Sequence, residues 1–390
     1  MSAKKWTVSF TLLILLCLLF IMGTNYFVDP FGYFRAQGGN DYSLDESYYL
    51  REIKAQQIKN HASDYDAYLI GGSKAGAIRT EKLQEMDGYR YYNAWVLSGN
   101  FQDYYYYTKY VIDNCNPKKI LLHISSSEIK SYDREDAGDM YVIPAEIMGT
   151  SKTEEAFEFL FKNLSASVDE LKRDFTKEPL YPMYPSGERN LKKYYSYMKE
   201  HTDSYYDFLF TKNELQKGYN VLEQGAPDKT KVVTLSIDRL KEIKKLCDKK
   251  NIEFQVIIGS VFIGELVGLE GESFYSYLEQ IVQITGGVWN FNTYNDFALN
   301  PYNYYNVYHY NYETADLMID TIMGKESPKD FGIYLTMDNI GSYINSRREK
   351  MKDIRNYHKK TGTLPLQSFH DSSNYKKDEK LSFTDMAAIQ

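Results

Sequence analysis

Apolar and polar positions divide the chain into distinct regimes. Residues 6–27 carry almost no charge, and residues 12–22 are continuously apolar. That length suits a helix crossing a bilayer. Beyond it, short apolar runs alternate with longer amphipathic stretches. The pattern predicts strands at 66–71, 90–96, 119–125, 254–259 and 288–291. Between and around them it predicts helices at 44–60, 74–86, 101–114, 233–249, 273–284 and 312–324. Ser43 and Glu46 make a capping box for the first helix. Strands alternating with helices imply βαβ units and a parallel sheet covered on both faces. In such α/β folds the chemistry sits at the carboxyl ends of the strands. Residues 131–225 break the rhythm: they are acidic, Tyr-rich and marked by Pro179, Pro182 and Pro185, with one amphipathic helix near 153–174. They read as an insertion or a lid over that edge. From 326 a tail begins, with a helical piece at 339–357 and then a polar end.

Charge orients the apolar segment. Lys4 and Lys5 precede it and Asp29 follows it, which places a short tip (1–5) in the cytoplasm and the remainder outside. A cleaved signal peptide is the competing reading. The span is long for that, it lacks a small-x-small cleavage site, and Leu16 spoils a lipobox at Cys17. A single-pass anchor over 6–27, a juxtamembrane linker and helix over 28–60, and one α/β domain from 61–130 and 226–325 are therefore expected. A net charge of −7 without any basic run argues against a nucleic-acid partner. Cys115 and Cys247 are far apart and suit buried thiols better than a bridge. The 38 tyrosines suit wet surfaces and sugar rings, and they equally suit a biased codon usage.

Candidate chemistry centres on residues 66–76, Asp-Ala-Tyr-Leu-Ile-Gly-Gly-Ser-Lys-Ala-Gly. An apolar strand stops at two glycines, and a serine opens the next element. Gly71 and Gly72 allow close backbone approach, and Ser73 would lie where free N–H groups meet developing negative charge. The competing reading is a helix cap. A nucleophilic serine needs a base, and the chain has six histidines. His61, His201, His358 and His370 lie in polar stretches, and His123 lies inside the apolar run 120–124 as a strand residue. His309 follows the last strand and precedes a helix, so it can reach the edge that Ser73 occupies. Asn306, three residues earlier, can bond the imidazole and fix its tautomer. No His/Cys/carboxylate cluster shows metal-ligand spacing. Asp316 and Asp320 share a helix face and read as solvated.

These residues resemble a known family. The chain is similar to the SGNH/GDSL hydrolase superfamily, in particular its membrane-anchored branch, which includes the lipoteichoic acid D-alanylation protein DltD and the alginate or cellulose O-acetylation proteins. Gly71-Gly72-Ser73 matches the first block, Asn93 through Gly99 the second, and Asn306-Val307-Tyr308-His309 the last. Residues 28–32 (Val-Asp-Pro-Phe-Gly) and 330–336 with Asn339 are also similar to the branch. The likeness covers residues 1–130 and 226–350.

The resemblance implies a three-layer α/β/α sheet with Ser73 as nucleophile and His309 as general base. It implies an oxyanion hole from the Ser73 amide, the Gly99 amide and the Asn100 side chain. It implies no cofactor, a membrane-bound O-acyltransferase as partner, and acyl (acetyl) transfer to an exported polysaccharide. D-alanylation of teichoic acid, a plain extracytoplasmic esterase and a non-catalytic scaffold are the alternatives. One position departs from the pattern: the family has Asp where Asn306 stands. An amide cannot stabilise imidazolium by charge and can select the wrong tautomer. Another carboxylate such as Asp296, a slow enzyme, or lost catalysis would each accommodate the exchange.

Overall fold

The strands lie where the apolar runs predict them. The computed structural model describes residues 2–30, 33–34, 50–125, 143–162, 164–172, 183–200 and 215–365. Four strands, β1 (Ala67–Gly71), β2 (Tyr91–Trp95), β3 (Lys119–Ile124) and β4 (Glu253–Ile258), pair in parallel with β5 (Val288–Asn290) in the order β2-β1-β3-β4-β5. β1 pairs with β2 on one side and β3 on the other, so the winding direction reverses beside β1. That reversal opens a crevice at the carboxyl ends of β1 and β3.

Successive strand residues point to opposite faces, and each face has its own apolar cluster. Tyr68, Ile70, Leu122 and Val256 pack with the helices Phe101–Asn114, Thr230–Lys249 and Glu272–Thr285. Leu69, Leu121 and Ile257 pack on the other side with Thr80–Asp87 and Tyr312–Ile322. The result is a mixed α/β fold with helices on both faces of a mostly parallel sheet. Cys115 and Cys247 are free, buried thiols.

Several elements depart from the sequence expectation. The helix expected over 74–86 is broken into a 3-10 turn, Ser73–Ala77, and the helix Thr80–Asp87. Ile78 and Arg79 between them are extended, because the buried Asn93 amide takes the Ala75 and Ile78 carbonyls at 2.8 and 3.0 Å. The expected helix near 153–174 is two helices, Lys152–Leu160 and Leu164–Leu171. The segment from 326 is no mere tail. β8 (Ile333–Leu335) pairs antiparallel with β5 and closes that edge of the sheet. The helix Ile340–Thr361 then packs back on the domain through Arg347, which is buried against Glu270 and Asn292. The first soluble helix is described as Leu50–Asn60. Its expected cap (Ser43, Glu46) lies outside the described residues, as do Phe31, Gly32, Pro179, Pro182, His201, His370 and much of 131–225. Ala3–Val28 is a single helix of 26 residues, long and apolar enough to cross a membrane.

Candidate active site

Ser73 stands just past the carboxyl end of β1, beside the point where the winding reverses. A Cβ on Gly71 would lie 2.8 Å from both Ala75 Cβ and the His123 carbonyl oxygen, so only glycine lets the turn close against β3. The loop after β2 presses on the same turn. A Cβ on Gly99 would lie 3.0 Å from Gly72 Cα. The Asn93 amide bonds described above fasten the underside of the turn to β2.

His309 arrives on a hairpin formed by β6 (Tyr304–Asn306) and β7 (His309–Tyr310). Its Nε2 lies 2.8 Å from Ser73 Oγ, and its Nδ1 lies 2.9 Å from Asn306 Oδ1. The Tyr308 N–H donates to that same Oδ1 at 2.9 Å, which identifies the atom as the amide oxygen. Nδ1 must then carry the proton and donate it to Asn306. Nε2 is left to accept from the Ser73 hydroxyl. The tautomer is the one a general base requires. Tyr305 stacks on the imidazole, with ring centres 5.4 Å apart and planes within 11°. Arg189 donates to the Tyr305 hydroxyl and, at 3.4 Å, to the Ser73 carbonyl, and it lies 4.4 Å above the Trp95 ring.

The loop at residues 97–100 offers hydrogen-bond donors. Asn100 caps the helix Phe101–Asn114: its Oδ1 accepts from the Gln102 and Asp103 amides. That fixes Nδ2 in orientation, and this buried donor has no acceptor. The Ser73 amide, at the first position of its turn, has no preceding carbonyl of that turn to bond. The Gly99 amide makes only a long 3.4 Å bond to the Val96 carbonyl. Ser98 is held at a φ of 45°, a left-handed conformation that costs a non-glycine residue of order 1–3 kcal/mol.

Arg51, on Leu50–Asn60, holds this loop from behind. It bonds both oxygens of Asp103 at 3.0 and 3.1 Å and the Leu97 carbonyl at 2.8 Å. Asp103 in turn accepts the Asn100 N–H at 2.9 Å. Arg51 and Asp103 are both buried, so the pair is charge-assisted and shielded from water.

The fold thus brings Ser73, His309 and Asn306 into one hydrogen-bonded chain, with Gly99 against the turn that carries Ser73 and Asn100 next to it in the same loop. Asp296 opens the short turn Asp296–Leu299, and His309 Nδ1 donates to Asn306 Oδ1. His123 is a buried residue of β3, with Nε2 2.9 Å from the Tyr310 hydroxyl. Burial, with help from the Lys74 charge, pushes its pKa down to about 3, so it stays neutral. Asp316 pairs with Arg79 and Asp320 with Lys82, linking the helix after His309 to the helix after Ser73.

Sequence reasoning missed Arg51, Arg189, Tyr305 and the buried pair Lys74–Glu265, 2.9 Å apart behind the turn. The Asn100-x-x-Asp103 capping pattern was a readable signal for the loop. Arg189, in a Pro-marked stretch, had none. Neither a family model nor a curated protein matches this chain.

Proposed function

We propose that the chain is an SGNH-type serine acyl-transfer enzyme acting at the outer face of a membrane. The observation that carries this is the Ser73–His309–Asn306 chain with the imidazole in the base-competent tautomer. His309 Nε2 takes the hydroxyl proton as Ser73 Oγ attacks an ester carbonyl. The Ser73 amide and the Asn100 Nδ2 donate to the oxyanion, with Gly99 beside them. Collapse expels the donor alcohol, which receives the proton from His309, and leaves an acyl group on Ser73. A sugar hydroxyl then gives its proton to His309 and attacks the acyl carbonyl, and His309 returns that proton to Ser73 Oγ as the acyl–serine bond breaks.

Ala3–Val28, read as an anchor, supports transfer over free hydrolysis, because it keeps the serine beside a membrane-embedded donor. A membrane-bound O-acyltransferase is the donor that suits this placement. An exported polysaccharide is the acceptor and acetyl the group transferred. A second reading, a weakly catalytic scaffold, is favoured by one observation: an amide stands where a carboxylate would stabilise imidazolium.

Replacing Ser73 by Ala separates the two. The enzyme reading predicts loss of polymer acylation with protein level and membrane association intact. An unchanged level of acylation would favour the scaffold.

A further inference from the structure

We infer that the helix pair Lys152–Leu160 and Leu164–Leu171 is a membrane-surface collar, seated in the lipid headgroup boundary around the emerging anchor. The inference rests on the reading of Ala3–Val28 as a bilayer span. Residues 3–20 of that helix are exposed, whereas 21–24 are half-covered and Asn25 is buried. The cover comes from the two short helices. Asn25 Nδ2 donates to the Leu160 and Lys162 carbonyls at 3.0 and 2.7 Å, and its Oδ1 accepts from Ser167 Oγ at 2.7 Å. Every hydrogen-bonding group of that amide except one lone pair is thereby used, so the contact has a defined register. Tyr33, just past the helix, stacks on Phe159 with ring centres 4.1 Å apart.

The position of this contact decides what the pair faces. The continuous apolar run ends at Met22 and the uncharged stretch at Val28, and the covered residues begin at 21, so the contact lies at the outer end of the span. Helices fixed there cannot stand clear of the membrane. At nine and eight residues they are also far too short to cross it, which leaves the interfacial plane. Their exposed side chains fit that plane. Phe157 and Phe161 share one face at i, i+4, and Val168 and Leu171 share another at i, i+3; all four are 45–66% exposed. Tyr26 and Phe27 add aromatic side chains at the end of the span, where a headgroup belt of aromatics is favourable. Glu158, Asp169 and Lys172 are exposed among them. Such charges suit headgroups and are depleted at the core of a protein interface.

A collar of this kind would set the height and tilt of the Ser73 crevice over the bilayer. The test uses the full chain in vesicles of phosphatidylglycerol and phosphatidylethanolamine. Nitroxides are placed singly at Phe157→Cys, Val168→Cys and Leu171→Cys in a Cys17→Ser background, and at native Cys17 as the span reporter. The collar predicts that all three positions are relaxed more by oxygen than by an aqueous nickel complex, with Cys17 deeper than any of them. Nickel-accessible labels at 157, 168 and 171 with a lipid-buried Cys17 overturn the collar and leave the anchor standing. Labels shielded from both agents overturn it in favour of a protein neighbour. A nickel-accessible Cys17 overturns the anchor itself, and the collar with it.

Discussion

At the scale of single residues, Asn306 is where this site departs from the triad it otherwise resembles. In serine-protease triads the corresponding Asp→Asn exchange costs about 10⁴ in rate, because the amide selects the wrong tautomer. Here the Tyr308 N–H removes that ambiguity by committing the amide oxygen to face His309. What is missing is the negative charge. Asn306→Asp is therefore expected to raise the rate of Ser73 acylation by about tenfold, the worth of ~1.4 kcal/mol of added imidazolium stabilisation. It should also move the acid limb of the pH–rate profile to higher pH, since a neighbouring carboxylate favours protonated histidine. Asn306→Leu should slow the reaction. Inactivation rates with a fluorophosphonate, followed across pH, read all three effects. A faster Asn306→Leu variant would show that Asn306 does not orient the base.

At the scale of elements, the site depends on how three segments meet. The turn Ser73–Ala77 is fixed by β2 through Asn93, the hairpin carries His309, and Leu50–Asn60 holds the donor loop through Arg51. Removing one oxyanion donor typically costs roughly 3 kcal/mol of transition-state stabilisation. Arg51→Met leaves Asp103 without its guanidinium and frees the Leu97 carbonyl, so the donors lose their aim. The expected result is a loss of about 10²-fold in kcat with KM little changed, and partial recovery in Arg51→Lys. Equal losses in both parameters, or none, would reduce Arg51 to a structural role. Much of this scale was legible beforehand. The strands over 66–71, 90–96 and 119–125 announced themselves as apolar runs between turn residues. The break at Ile78 did not, because it depends on Asn93, 15 residues away along the chain and in contact only after folding. β8 was equally hidden: three residues carry too little pattern to separate a strand from a loop.

For the whole molecule, the order of pieces was readable and their mutual contacts were not. Ser73, His309 and Asn306 could be chosen from the sequence because glycines and a unique post-strand histidine mark them. Arg189 and Arg51 became visible only when distant segments came to the same edge. Global stability gives a further test of the buried layer. His123 is neutral in the fold, with its pKa at about 3, whereas an unfolded histidine takes up a proton near 6.5. Stability from this source is complete above pH 6.5 and is lost as pH falls toward 3, by up to about 1.4 kcal/mol per pH unit. Chemical unfolding at pH 7, 6 and 5 should show that slope, and His123→Gln should flatten it relative to the parent chain. An identical slope in both chains would remove His123 as the cause.

Covalent labelling decides whether Ser73 is an activated nucleophile. The full-length protein is treated with a fluorophosphonate, and the adduct is located by peptide mass mapping. One adduct is expected, on Ser73, absent in Ser73→Ala and formed far more slowly in His309→Ala. No adduct, an adduct on another residue, or labelling indifferent to His309 would contradict it.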